Sequence, residues 1–165
     1  MKKFIVLSIV LLMLAGFAIT SSAEELVVGR KHIPVGDLTV EVVGVNLVVT
    51  YTITDPEWEL GDTHLYVGTI APTKSAPGQF PYGPEDAVDG VYTIPLADFG
   101  GAAILYIAAQ AEIGMIDEFG DPVLVDPEDI DSEQIEETTW AYGVDEIRSG
   151  KNWAMYFTFE VVVTP

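Results

Sequence analysis

The residue best suited to chemistry in this chain is His64, which has carboxylates close to it in sequence. With Asp62 or Glu112, it would supply the nitrogen and oxygen donors that a transition metal binds. The only other histidine is His32, and a lone histidine in a strand is more often held by a hydrogen bond. A ligand role and a structural role for His64 are therefore both open.

The sequence lacks the usual signatures of covalent catalysis. It contains no Cys and no Gly-x-Ser-x-Gly motif, which argues against thiol catalysis, thiolate metal sites and the nucleophile elbow of serine hydrolases. Paired carboxylates for glycoside hydrolysis are uninformative among 26 Asp and Glu residues. A small secreted enzyme is therefore the least favoured function.

A run of acidic residues from position 117 to 131 is a candidate calcium site, because hard cations take several oxygen ligands. The segment does not match an EF-hand. Counted from Asp129, Gln134 stands where the loop needs Gly, and Trp140 where it needs Glu. An irregular Ca²⁺ site and a solvated acidic loop are the two interpretations. The candidate ligands are Asp117, Glu118, Asp121, Asp126, Glu128, Asp129 and Asp131.

Aromatic residues offer a second kind of site, because exposed rings stack on the apolar faces of sugars. Phe80 and Tyr82 lie in a loop rich in Pro and Gly, and they are the best candidates for exposed contacts. We expect Trp153 to be buried, since it lies on the apolar face of an alternating segment. Together with His64, the candidate ligand-binding residues are Trp58, His64, Phe80, Tyr82, Trp140 and Tyr142.

Charge narrows the range of partners. The chain has 26 acidic and 7 basic residues, for a net charge of −19, and no Lys or Arg lies between Lys74 and Arg148. We expect no nucleic-acid binding, because affinity for phosphate backbones comes from basic side chains. Solubility outside the cell and cation binding would each explain such acidity.

The N-terminus has the three parts of a secretory signal. A cationic start precedes an apolar run at residues 4–19, and small residues at Ser21 and Ala23 suit a cut after Ala23. The run is shorter than the ~20 apolar residues that a membrane span prefers. We therefore expect residues 1–23 to be a signal helix that is removed. Residues 24–165 then form one extracellular or periplasmic domain without membrane insertion.

Strand patterns dominate this domain. The segment 102–113 is almost continuously apolar, which indicates a strand buried on both faces. Pro95 marks an edge strand, and Gly61-Asp62 predicts a kink. The predicted strands are 38–42, 46–54, 58–70, 91–96, 102–113 and 153–163. Their spacing and turn residues predict an all-β fold, a single antiparallel β-sandwich.

Two segments interrupt the strands. Residues 71–90 contain many Pro and Gly residues and are predicted to form a long loop. Residues 114–137 form an acidic insert, in which we expect one short helix with Asp126 as its N-cap and Pro127 at its first position.

Several motifs resemble those of an uncharacterised family of secreted bacterial and archaeal β-domains. They are Trp-x-Leu-x-x-Thr-His-Leu at residues 58–65, Pro-Gly-x-Phe-Pro-Tyr at 77–82, and Glu-Thr-x-Trp…Trp-Ala-x-Tyr-Phe ending at Phe157. The resemblance implies secretion and a sandwich-like domain, with no established activity. The family carries a His where this chain has Gln110, so a site built from two histidines is not expected here.

These features favour a secreted, non-catalytic binding module that recognises a glycan or a surface protein. The main alternative is a structural surface or matrix subunit that self-associates by exchanging a free N-terminal strand from residues 24–35. The enzyme hypothesis requires a cleft with polar groups converging around His64.

Overall fold

Nine strands make up the fold in residues 21–129, 131–147 and 153–162, which the computed structural model describes. All their pairings are antiparallel and they belong to one all-β sheet, so the predicted fold class is confirmed. The strands are β1 (Ser21–Val28), β2 (Ile33–Val43), β3 (Asn46–Ile53), β4 (Trp58–Gly68), β5 (Val91–Pro95), β6 (Ile104–Met115), β7 (Glu136–Ala141), β8 (Asp145–Glu146) and β9 (Met155–Glu160). Short 3₁₀ turns occupy Pro77–Gln79, Pro84–Asp86 and Leu96–Phe99.

Strand β6 organises the sheet by pairing with three others. One edge of β6 pairs with β4 over nearly its whole length. The other edge is shared: β9 pairs with residues 104–107 and β7 with residues 110–114. From β7 the sheet continues through β1, β2 and β3 to β5, which lies at the edge as Pro95 predicts.

The sheet folds so that its two halves face each other across one apolar core. Leu38, Val40, Leu47 and Val49 come from the β2–β3 half and are fully buried. They belong to the same cluster as Leu65, Ile107 and Phe159 from the half around β6. Each side chain follows the two-residue alternation of its strand, which puts the intervening residues on the outer face.

The register divides the strand ends into two groups at opposite ends of the molecule. The hairpin end contains Ser21, the β2–β3 turn at Gly44-Val45 and the connection from Pro95 to Ile104. The acidic end contains the β1–β2 turn and the long excursion between β6 and β7.

Two tyrosine hydroxyls tie the halves together at a bulge in β4, where the sequence predicts the kink. The bulge lies between Leu60 and Thr63. The Tyr92 hydroxyl from β5 lies 2.9 Å from the Thr63 carbonyl oxygen and 2.8 Å from Thr63 Oγ1. The Tyr51 hydroxyl from β3 donates to the His64 carbonyl oxygen at 3.1 Å. These bonds attach β3 and β5 to the backbone of β4 directly after the bulge.

The acidic insert forms turns, so the predicted short helix is wrong for the described residues. Strand β6 runs to Met115 and β7 starts at Glu136, which leaves 116–135 as the excursion. Its Asp side chains accept bonds from nearby backbone, as in the 3.0 Å bond from the Glu128 amide to Asp126 Oδ1. Such bonds hold the backbone in turns and compete with a helix.

The N-terminal strand is paired with β2 along its whole length. The predicted signal helix lies outside the described residues except for its last three, which belong to β1, so the predicted cut after Ala23 falls inside a strand. β1 pairs with β2 from Ser21 to Val28 and with β7 at residues 26–28. The free strand that self-assembly by strand exchange requires is therefore not found here. No helix in the described ranges is long and apolar enough to cross a bilayer.

Removing the Tyr92 hydroxyl tests the tie at the bulge. Tyr92→Phe should lower the free energy of unfolding by about 1–3 kcal/mol, because the buried Thr63 groups lose their partner. Urea unfolding measures the change. As the control, Tyr142→Phe alters an exposed ring and should change stability by less than ~0.5 kcal/mol. If the two variants changed stability equally, the hydrogen bonds from Tyr92 to Thr63 would not have the stabilising role inferred here.

The same tyrosines should make the protein sensitive to alkali. Burial raises the pKa of Tyr51 well above 10.0, and Tyr92 nearby raises it further. The folded state therefore keeps a proton that the unfolded state loses, so stability should fall as the pH rises above about 10. Urea midpoints at about pH 8 and about pH 11 measure this loss, which should be smaller in Tyr51→Phe. A loss of the same size in Tyr51→Phe would contradict the assignment.

Candidate aromatic binding face

The outer face of the layer formed by β4, β6 and β7 carries a continuous line of rings, which we name the aromatic row. Neighbouring ring centroids along it are 5.3 to 6.5 Å apart, and most contacts are edge-to-face. Such spacing is typical of favourable aromatic pairs. In order, the row consists of Tyr66, Phe80, Trp140, Trp153, His32 and Tyr142.

Strand register places the centre of the row. Gln110 on β6 lies opposite His64 on β4 and opposite Trp140 on β7. Two residues closer to the hairpin end of these strands, Ala108 lies opposite Tyr66. Because Leu65 and Ala109 point into the core, these five side chains share the outer face.

The Pro-rich loop covers the middle of the row. A bridge between Leu65 and Tyr82, with backbone bonds of 2.9 and 3.2 Å, holds the loop against the free edge of β4. Phe80 then packs in one cluster with Ala108 and Trp140. The small side chain of Ala108 leaves room for this ring, and the cover leaves Trp140 only 3% exposed.

His64 and Gln110 form a polar pair beside the rings. His64 Nδ1 lies 3.0 Å from Gln110 Oε1. The amide oxygen can only accept, so Nδ1 is the donor of this bond, and in the neutral ring Nε2 is left as an acceptor. Gln110 is buried and His64 is half-buried, so the pair can offer hydrogen bonds at the edge of the row.

The structure brings together four of the six ligand-binding residues predicted from the sequence. His64, Phe80 and Trp140 lie on the outer face near Gln110, and Tyr142 ends the row with 42% of its surface exposed. Trp58 and Tyr82 are separate from them, because both pack against the inner core.

Two expectations about exposure need correction. Phe80 is half-buried against Trp140, and Tyr82 is half-buried beside Tyr92, so neither is the freely exposed loop residue expected. Trp153 precedes β9 and is half-buried in the outer cluster, where a fully buried residue was expected. The loop folds back on the sheet because its apolar rings gain contacts there.

Sequence reasoning missed Tyr66, His32 and Trp153 as members of the row. Tyr66 could have been predicted from the sequence, because it lies two residues after His64 in a strand and so shares its face. His32 and Trp153 meet only through the fold. The β1–β2 turn places His32 between Trp153 and Tyr142, and no local pattern signals that contact.

The predicted calcium ligands are not brought together. No group of three or more His, Asp or Glu residues in the described ranges could hold a metal ion. Asp117 Oδ1 accepts bonds from the amides of Phe119 and Asp121, both at 2.9 Å, while Asp126 and Asp129 serve separate turns. These carboxylates bind their own backbone, so the solvated acidic loop is the better interpretation.

The basic residues in the part of the chain that the structure describes lie near the two ends of the aromatic row. They are Arg30, Lys31 and Lys74. Lys74 lines a cavity of about 110 Å³ together with Tyr66 and Phe80. Arg30 and Lys31 directly precede His32 in the β1–β2 turn.

Removing the Phe80 ring should uncover Trp140. We expect Phe80→Ala to shift part of the tryptophan emission to longer wavelength and to cost about 2 kcal/mol of stability. Phe119→Ala is the control, since Phe119 is 81% exposed at the acidic end. An unchanged emission spectrum in Phe80→Ala, recorded under native conditions, would contradict this packing.

Comparison with known proteins yields no relative. No protein-family model, no curated protein and no solved structure matches this chain. The resemblance to the secreted β-domain family, drawn from its motifs, therefore stays a prediction.

Proposed function

We propose that this protein is a secreted, non-catalytic binding module of the cell exterior, and that its ligand is a glycan bound along the aromatic row. The observation that carries the proposal is the row itself, six rings in contact on one outer face. Rings in such a position supply apolar contact area, and a few polar groups beside them fix orientation.

The exposure of the rings fits a shallow surface site. Tyr142 is the most exposed ring, while Tyr66, Phe80 and Trp153 are half-buried and Trp140 lies beneath them. The buried contacts keep the outer rings rigid, so binding would order few side chains and lose little conformational entropy. Sugar faces are apolar and would cover the rings without requiring a deep cavity.

Hydrogen bonding also favours a sugar. The acceptor Nε2 of His64 is available to a ligand hydroxyl group when Nδ1 is bonded to Gln110. A neutral glycan avoids the repulsion that a net charge of −19 would exert on an anionic polymer. A surface protein is the second kind of partner that the row would suit, and the same variants test it.

The ligand test uses a panel of neutral oligosaccharides and isothermal calorimetry. One class should bind, and Tyr142→Ala should weaken it about tenfold through the lost ring contact. Phe119→Ala removes a more exposed ring at the acidic end and should bind as the parent does. Equal weakening by both variants would contradict the site, and binding by no glycan would exclude the glycan as ligand.

A further inference from the structure

We propose that, in the chain from which residues 1–23 have not been removed, the hairpin end of the domain rests on a lipid bilayer when the apolar residues 4–19 are in the membrane. The proposal goes beyond ligand binding, because it concerns how the domain is oriented on a surface. It rests on three observations, which are the apolar rim of this end, the place where the N-terminal segment joins it, and the distribution of charge.

The rim of the hairpin end is mostly apolar and exposed. Val45 at the tip of the β2–β3 turn is 76% exposed, and Val43, Ile104 and Val162 are each about half exposed. An apolar groove of about 280 Å³ lies at the same end and is lined by Leu96, Phe99, Leu105 and Val161, among others. The Leu96 amide donates to the Val45 carbonyl at 2.9 Å, which joins the turn to the groove. Val43 from β2 and Ile104 from β6 belong to different halves of the sheet, so this end exposes apolar side chains from both halves, as interaction sites do.

The N-terminal apolar run joins the domain at this same end. The run stops at Ile19, and β1 begins at Ser21, which pairs with Glu41 two residues before Val43. Only Thr20 separates them. One residue spans at most ~3.6 Å, so a membrane-embedded run holds the hairpin end against the lipid surface. This connection selects a bilayer over other apolar partners.

Charge favours the same orientation. The excursion at the acidic end carries Asp117, Glu118, Asp121, Asp126, Glu128, Asp129, Asp131 and Glu133. The rim residues have only Glu41, Asp98 and Glu160 near them in sequence. Arg30 and Lys31 also lie at the acidic end, but the carboxylates of the excursion outnumber them, so the domain would point its most acidic part away from anionic headgroups.

The absence of Cys makes the test direct. The full chain is reconstituted in phosphatidylcholine vesicles as Val45→Cys or Val88→Cys, each labelled with the fluorophore NBD. Val88 is 74% exposed at the acidic end, so it matches Val45 in exposure. The label at position 45 should shift to shorter wavelength and lose about half its emission to doxyl-labelled lipid, because it lies at the acyl boundary. The label at position 88 should do neither.

A second variant separates contact from tethering. Val43→Asp, added to the Val45→Cys chain, should reduce the quenching to the level seen at position 88, with the circular-dichroism spectrum unchanged. Quenching that is equal at positions 45 and 88, or that Val43→Asp leaves unchanged, overturns the proposal. A shift to shorter wavelength without lipid quenching also overturns it, because a second copy of the chain would then cover the rim.

Discussion

The fold depends on strand β6 being covered on both faces while it pairs along both edges. Its inner face lies in the core through Ile107, Ala109 and Ala111, and its outer face lies under the rings through Ala108 and Gln110. A strand in this position cannot carry large side chains on both faces, because neither layer could approach it. The alanines of this strand are therefore a packing requirement.

The aromatic row lies where it covers the outer face of β6. A small residue at position 108 would leave a depression between Tyr66 and Trp140, and the Pro-rich loop fills it with Phe80. The loop can do this because its Leu65–Tyr82 bridge fixes it to β4. The same rings thus stabilise the sheet from outside and present the surface that we propose binds sugar.

Local patterns predicted the strands well, because each strand has one buried face or two and so shows a period of two or a continuous apolar run. The kink at Gly61-Asp62 and the edge position of β5 also followed from local residue types. Strands β1, β7 and β8 were missed. In β7 the first residues, Glu136 and Glu137, belong to the acidic run and hide the apolar residues behind them. The row could be predicted only in part, since its contacts join residues far apart in sequence.

The acidic excursion shows why composition alone does not locate a site. Counting carboxylates suggested a cation site, yet several of them accept bonds from amides two residues further along the chain. A carboxylate used in this way shapes a turn and keeps its charge in water, so nothing draws its neighbours together around an ion. The charge of this excursion then lies at the end opposite the exposed apolar residues Val43, Val45 and Ile104. This polarity follows from strand register, because register alone decides which loops share an end.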